Sequence, residues 1–262
     1  MVDKVSVVFM IISTIICFGL PIGLIVYFYK KEKISISAVM IGSVIFIIFQ
    51  LFMRLPLINF LNSQGWFIKN IKSNTMVYVL FLSVTAGVFE EVGRCVGFRY
   101  LLKNKLQWKN GIAYGIGHGG IESVLLVGMT YVSNLIFSLL INLGTFDVLV
   151  GTKLPQAAAL KNTLMDTHSY MFLLGGMERV FTIAFHIALS IIVLEGVMKK
   201  QNKYLLYAVL IHALVDFCAA YNFNIFATEG FMFVTALISF RFIKKSKNRF
   251  FNIKANMNKK SY

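Results

Sequence analysis

The chain has 262 residues, 58% of them hydrophobic and only 14% charged, far from the roughly half-apolar, quarter-charged make-up of soluble domains. This excludes a soluble globular protein and a disordered one, and points to an integral membrane protein. The net charge of +15 would suit nucleic acid on a soluble chain, but here the bases cluster in loops at the ends of apolar runs, so the lipid bilayer is the expected partner and nucleic acid is not.

A hydrocarbon core about 30 Å thick takes roughly 20 apolar helical residues per crossing. Seven segments meet that length, at about 5–29, 34–53, 75–101, 111–142, 170–198, 204–220 and 225–243. The expected fold is therefore all-α, a polytopic transmembrane bundle of about seven spans forming one integral domain over 1–262. The first run follows Lys4 and is too long for the apolar core of a cleaved signal, so it is expected to stay. The fourth is long enough to contain a break or an amphipathic extension. The connection over 143–170 mixes apolar and polar residues, as an interfacial helix would. Cys17, Cys95 and Cys218 lie inside spans without metal spacing and read as small buried apolar residues.

Charge sets the orientation. With the N-terminus outside, eighteen Lys and Arg residues fall on one side, including Lys30, Lys31, Lys33, Arg99, Lys103, Lys105, Lys109, Lys199, Lys200, Lys203 and the eight from Arg241 to Lys260. The other side carries six: Lys4, Arg54, Lys69, Lys72, Lys153 and Lys161. The positive-inside rule then gives N-terminus out and C-terminus in. The basic tail, about 244–262, is expected on the anionic lipid of the inner leaflet.

Against this apolar background the third span carries Glu90, Glu91 and Arg94, the fourth His118 and Glu122, the fifth Glu178, Arg179 and His186, and the sixth His212 and Asp216. A charge at the bilayer centre costs at least about 2.5 to 3.5 kcal/mol on insertion scales, so these groups need partners or a cavity. Helical neighbours lie three or four residues apart, which lets Glu91 reach Arg94, His118 reach Glu122, His186 reach Ser190, and His212 reach Asp216. Glu90 and Glu91, about 100° apart around the helix, must face different surfaces. With the orientation above, Glu90, His118, His186 and His212 all lie roughly 10 to 18 Å from the same membrane edge at 1.5 Å per residue. They are expected to converge in one layer. The cluster of Gly115, Gly117, Gly119 and Gly120 fits close helix approach.

Two other classes can use such a layer. Chains of Asp, Glu and His are also proton relays in ion-coupled or proton-coupled transporters, which predicts internal repeats that the sequence lacks. A noncatalytic protein can use the same groups to bind metal or peptide.

The motifs "EEVGR", "YGIGHGG" and "HALVD", in that order, resemble those of the CAAX-protease, PrsW and bacteriocin-processing group of intramembrane proteases. With "GHGGIES" and "ERVFTIAFHIALS" between them, the series looks like the YhfC-type branch of that group. The resemblance runs over about 75–220, the expected catalytic core. It departs from CAAX proteases at Arg94, three residues after Glu91 rather than four, and at Asp216, where those proteins have Asn.

The resemblance implies a multi-pass protein of the bacterial plasma membrane that hydrolyses a peptide bond of a membrane-associated protein or peptide. A carboxylate withdrawn from bulk water can act as general base near neutral pH, and Glu90 is assigned that role. Glu91 pairs with Arg94. His118 helps hold the water, while His212 and Asp216 stabilise the oxyanion; Glu122, Glu178, Arg179 and His186 support the site. No "HEXXH" is present, and Asp216 is a ready partner for His212, so a metal-free, glutamic-type mechanism without cofactor is favoured. The alternative is Zn²⁺ on His118, His186 and His212.

Overall fold

The computed structural model describes residues 1–151, 155–221 and 224–259. It is helical throughout, with no strand among the described residues. Seven helices are long and apolar enough to cross a membrane. We label them α1 (Lys4–Glu32), α2 (Ile36–Asn62), α3 (Thr75–Leu101), α4 (Trp108–Asn142), α6 (Ser169–Lys199), α7 (Lys203–Ala220) and α8 (Ile225–Asn252). A shorter helix, α5 (Ala157–Asp166), lies between α4 and α6, within the connection where the sequence suggests an additional helix. Lys153 and Lys260, both counted in the charge bias, lie outside the described residues.

Helix α6 forms the centre. In its most apolar window 67% of residues are buried inside the protein, against 11 to 33% for the other six spans, so it faces protein where they face lipid. Helices α1, α4 and α8 pack on it, α2 packs on α4, and α3 packs on α7. The glycines of α4 make its contacts close. A Cβ built on Gly117 would stand 2.0 Å from the carbonyl oxygen of Val39 in α2, a separation that no side chain can occupy.

Two span ends differ from the sequence reading. Helix α2 runs on to Asn62 through Arg54 and Pro56, although Arg54 reads as the end of a span. Arg54 stays inside the helix because its guanidinium is tied to α3, where Nη2 donates to the Leu82 carbonyl at 2.7 Å and Nε to Thr85 Oγ1 at 3.2 Å. Pro56 sits in the first turn of the regular helix Leu55–Asn62, after a π-helical stretch over Ile47–Arg54, where a missing N–H costs little.

Helix α8 likewise continues through the start of the basic tail. Trp108 Nε1 donates to Ser246 Oγ at 2.7 Å and Lys247 Nζ to Glu32 Oε1 at 2.7 Å, so this part of the tail packs on α1 and α4. In α4, a π-helical stretch over Ser123–Gly128 follows directly after Glu122. The long fourth span, expected to hold a break or an amphipathic extension, is one continuous helix with this π-helical stretch inside it.

Candidate active site

The site grows from three residues of α3. Glu91 and Arg94 are fully buried, Glu90 is 5% exposed, and each carboxylate leaves the helix in its own direction. Glu90 Oε2 meets His118 Nε2 of α4 at 2.9 Å. Glu91 turns toward α7, where Oε1 lies 2.7 Å from His212 Nδ1. It also accepts from Arg94 Nη1 of its own helix, 3.0 Å from Oε2. Gly87 lets α7 come this near, because a Cβ there would stand 2.8 Å from the Val209 carbonyl oxygen.

His186 of α6 completes the layer. Its ring centroid is 5.0 Å from that of His118 and 5.4 Å from that of His212. Glu90, His118, His186 and His212 therefore do converge. Beyond them, Glu122 Oε2 lies 2.6 Å from His186 Nε2, and Glu122 Oε1 accepts from Arg179 Nη1 at 3.3 Å. Arg179 Nη2 also donates to Glu178. All ten residues singled out from the sequence thus belong to one connected polar network.

Several pairings inside that network differ from the expected ones. His118 reaches Glu90 rather than Glu122, four residues on, because Glu122 faces α6. Ser190 Oγ donates to the His186 carbonyl at 2.8 Å, so it satisfies the backbone and leaves the imidazole to Glu122 and Arg94. The tight partner of His212 is Glu91, whereas Asp216 Oδ2 stands 3.5 Å from Nε2 and its side chain is 37% exposed. The expected three-histidine metal set changes as well. One ligand atom each from Glu90, His118, Glu122 and His186 lies within 4.8 Å of the others, and His212 is outside this group. Sequence spacing missed the Glu91 contact to His212 because neighbours across a helix interface have no fixed separation along the chain.

These residues fit a divalent cation on two counts. Glu122 Oε2 and His118 Nδ1 are buried without hydrogen-bond partners among the described residues. Glu122 Oε2 nevertheless stands 2.6 Å from His186 Nε2, inside the group of four residues whose ligand atoms lie within 4.8 Å of one another. Charge is the second count. The five carboxylates of Glu90, Glu91, Glu122, Glu178 and Asp216 face three permanent cations, Arg94 and Arg179 within the network and Arg54 across a cavity lined also by Glu178 and Asp216. An excess of negative charge in an apolar layer calls for added positive charge, and two imidazoles with a carboxylate form a known catalytic zinc set.

A family model described as YhfC intramembrane metalloprotease matches residues 16–239. The "Uncharacterized membrane protein YhfC" of Bacillus subtilis (strain 168) is 35% identical over 257 residues, covering 95% of this chain and 100% of that protein. No solved structure matches. The family description names a metalloprotease, so the metal-free expectation finds no support there, while the grouping of Glu90, His118, Glu122 and His186 is compatible with the zinc alternative. By the extent of the family match and of the identity to its relative, the chain, a multi-pass membrane protein, belongs to the YhfC intramembrane metalloprotease family.

Proposed function

We propose that the chain is an intramembrane endopeptidase that cuts a membrane-embedded protein or peptide, with Glu90 as general base and with His118, His186 and Glu122 as the residues that would hold a zinc ion. The observation that carries this reading is the approach of one donor atom from each of these four residues to within 4.8 Å in a buried layer. When bound, the cation would supply Lewis-acid polarisation.

The protein's own groups account for the remaining steps. Glu90 takes a proton as water adds to the scissile carbonyl, then returns it to the departing amine nitrogen. His118, 2.9 Å from Glu90, holds that carboxylate in place. His212 has Nδ1 fixed by Glu91, and Nε2 faces Glu90 Oε2 at 3.8 Å and Asp216 Oδ2 at 3.5 Å. A hydrogen on Nε2 has these acceptors at rest and can donate to the carbonyl oxygen as it gains charge. The aligned excess of loop bases supports an orientation with the N-terminus outside and the C-terminus inside.

One contact favours a second, metal-free reading. Arg94 Nη2 lies 3.2 Å from His186 Nδ1, and a guanidinium only donates. Nδ1 is then the acceptor, the ring hydrogen sits on Nε2, and ligation through Nε2 would require Arg94 to swing away.

Elemental analysis of the purified full-length protein separates the two. The zinc reading expects about one equivalent of zinc, lowered by Glu122→Gln and by His186→Ala but retained in His212→Ala. Zinc well below stoichiometry, with peptide hydrolysis that survives a strong chelator, would establish the glutamic-type reading instead.

A further inference from the structure

A cavity of about 330 Å³ adjoins the polar layer where α2, α3, α6 and α7 meet, lined by Arg54, Leu82, Ser83, Glu178, Asp216, Ala219 and Ala220. Asp216 is a wall it shares with the catalytic network. The small side chains of Ser83, Ala219 and Ala220 leave room there for an unwound peptide, and a peptide must unwind to present its backbone to Glu90.

Three charged side chains line this space, and two already have ionic partners. Glu178 is paired with Arg179, and Asp216 Oδ2 lies 3.5 Å from His212 Nε2. Arg54 has no carboxylate within ion-pair distance among the described residues. Its bonds to the Thr85 hydroxyl and the Leu82 carbonyl use two of five N–H donors and bring no counter-charge. The side chain is only 8% exposed. Glu178 and Asp216 line the same cavity without coming within ion-pair distance of the guanidinium, so Arg54 is a cation buried in a membrane span with no carboxylate in contact, which is costly and marks function.

We infer that Arg54 is a specificity-determining residue that takes a carboxylate of the substrate in this cavity, an inference that rests on the protease reading above. A guanidinium held through Nε and Nη2 keeps Nη1 free, and carboxylates are its best partners. Because Asp216 lines the same cavity, a group held by Arg54 lies next to the catalytic layer, and the recognised carboxylate is close in sequence to the bond cut. That carboxylate can come from the substrate's C-terminus or from an Asp or Glu side chain.

Binding can be read without hydrolysis. The full-length protein carrying Glu90→Gln, in lipid nanodiscs, is titrated with three fluorescent Leu/Ala-rich membrane peptides: one ending in a free carboxylate, one ending in an amide, and one amide-ended with a single Asp near that end. At least one carboxylate-bearing peptide should bind about tenfold or more tighter than the plain amide, as expected for a charge-assisted hydrogen bond, and which one does identifies the source. Arg54→Gln should erase the preference, while Arg54→Lys, which keeps the charge and guards against a folding defect, should retain part of it. Absence of any carboxylate preference with Arg54 intact, or the same preference in folded Arg54→Gln, would overturn the assignment. Failure of the protease reading shows separately, as an intact preferred peptide after incubation with the wild-type protein.

Discussion

Glu91 Oε1 stands 2.7 Å from His212 Nδ1 while Glu91 Oε2 accepts from Arg94 Nη1 at 3.0 Å, so one buried carboxylate ties α3 to α7 and neutralises the guanidinium of its own helix. Its neighbour Glu90 faces His118 instead. The two adjacent glutamates thus make separate contacts, one tying α3 to α7 and the other tying α3 to α4, and the function proposed above gives the second the role of general base.

Removing Glu91 strands Arg94 as a buried, unpaired cation and frees His212. Glu91→Ala is expected to cost about 3 to 5 kcal/mol, measured as lower folded yield and a lower melting temperature in detergent. Glu90→Gln keeps shape and hydrogen-bonding capacity, so it should melt close to wild type. The opposite order of melting temperatures would mean that the two roles are exchanged.

The Asp216 geometry makes a graded prediction. Its carboxylate is partly exposed and 3.5 Å from His212 Nε2, whereas Glu91 holds the other ring nitrogen tightly. His212→Ala removes the proposed oxyanion donor and is expected to lower kcat by about 10²- to 10³-fold. Asp216→Asn should lower it by less than about tenfold, because Glu91 still sets the tautomer. Equal losses would make Asp216 the residue that positions His212.

Helix approach gives a test of the fold itself. At Gly117 a Cβ would meet the Val39 carbonyl at 2.0 Å, whereas at Gly23 nothing lies within 4 Å. Gly117→Ala must push α2 away from α4 and is expected to cost 1 to 3 kcal/mol or more, on the order seen for overpacked cores. Gly23→Ala should be neutral or stabilise α1 by up to about 1 kcal/mol. Melting temperatures of the two variants, measured side by side, check the close packing that delivers His118 to Glu90.

Much of this architecture is legible in the sequence because a bilayer demands long apolar helices and makes every charge within them conspicuous. The spans, and the convergence of Glu90, His118, His186 and His212, follow from run length and from depth along each helix. Lateral pairing does not. His118 chooses Glu90 over Glu122, and His212 holds Glu91 more closely than Asp216, because the partners sit on other helices whose rotation is set by packing at positions such as Gly87 and Gly117. Arg54 shows the same limit. Read alone it ends a span, and only the Leu82 carbonyl and Thr85 hydroxyl of α3 explain why it remains inside one.

The most direct test of proteolysis driven by Glu90 is a comparison of membrane-protein fragments in cells carrying the wild-type chain and in cells carrying Glu90→Gln, at matched levels of the protein in the membrane. We expect at least one membrane protein to be cut within or beside a span only in the wild type, and to accumulate uncut with the variant. Identical fragment patterns in the two cell lines would contradict the account.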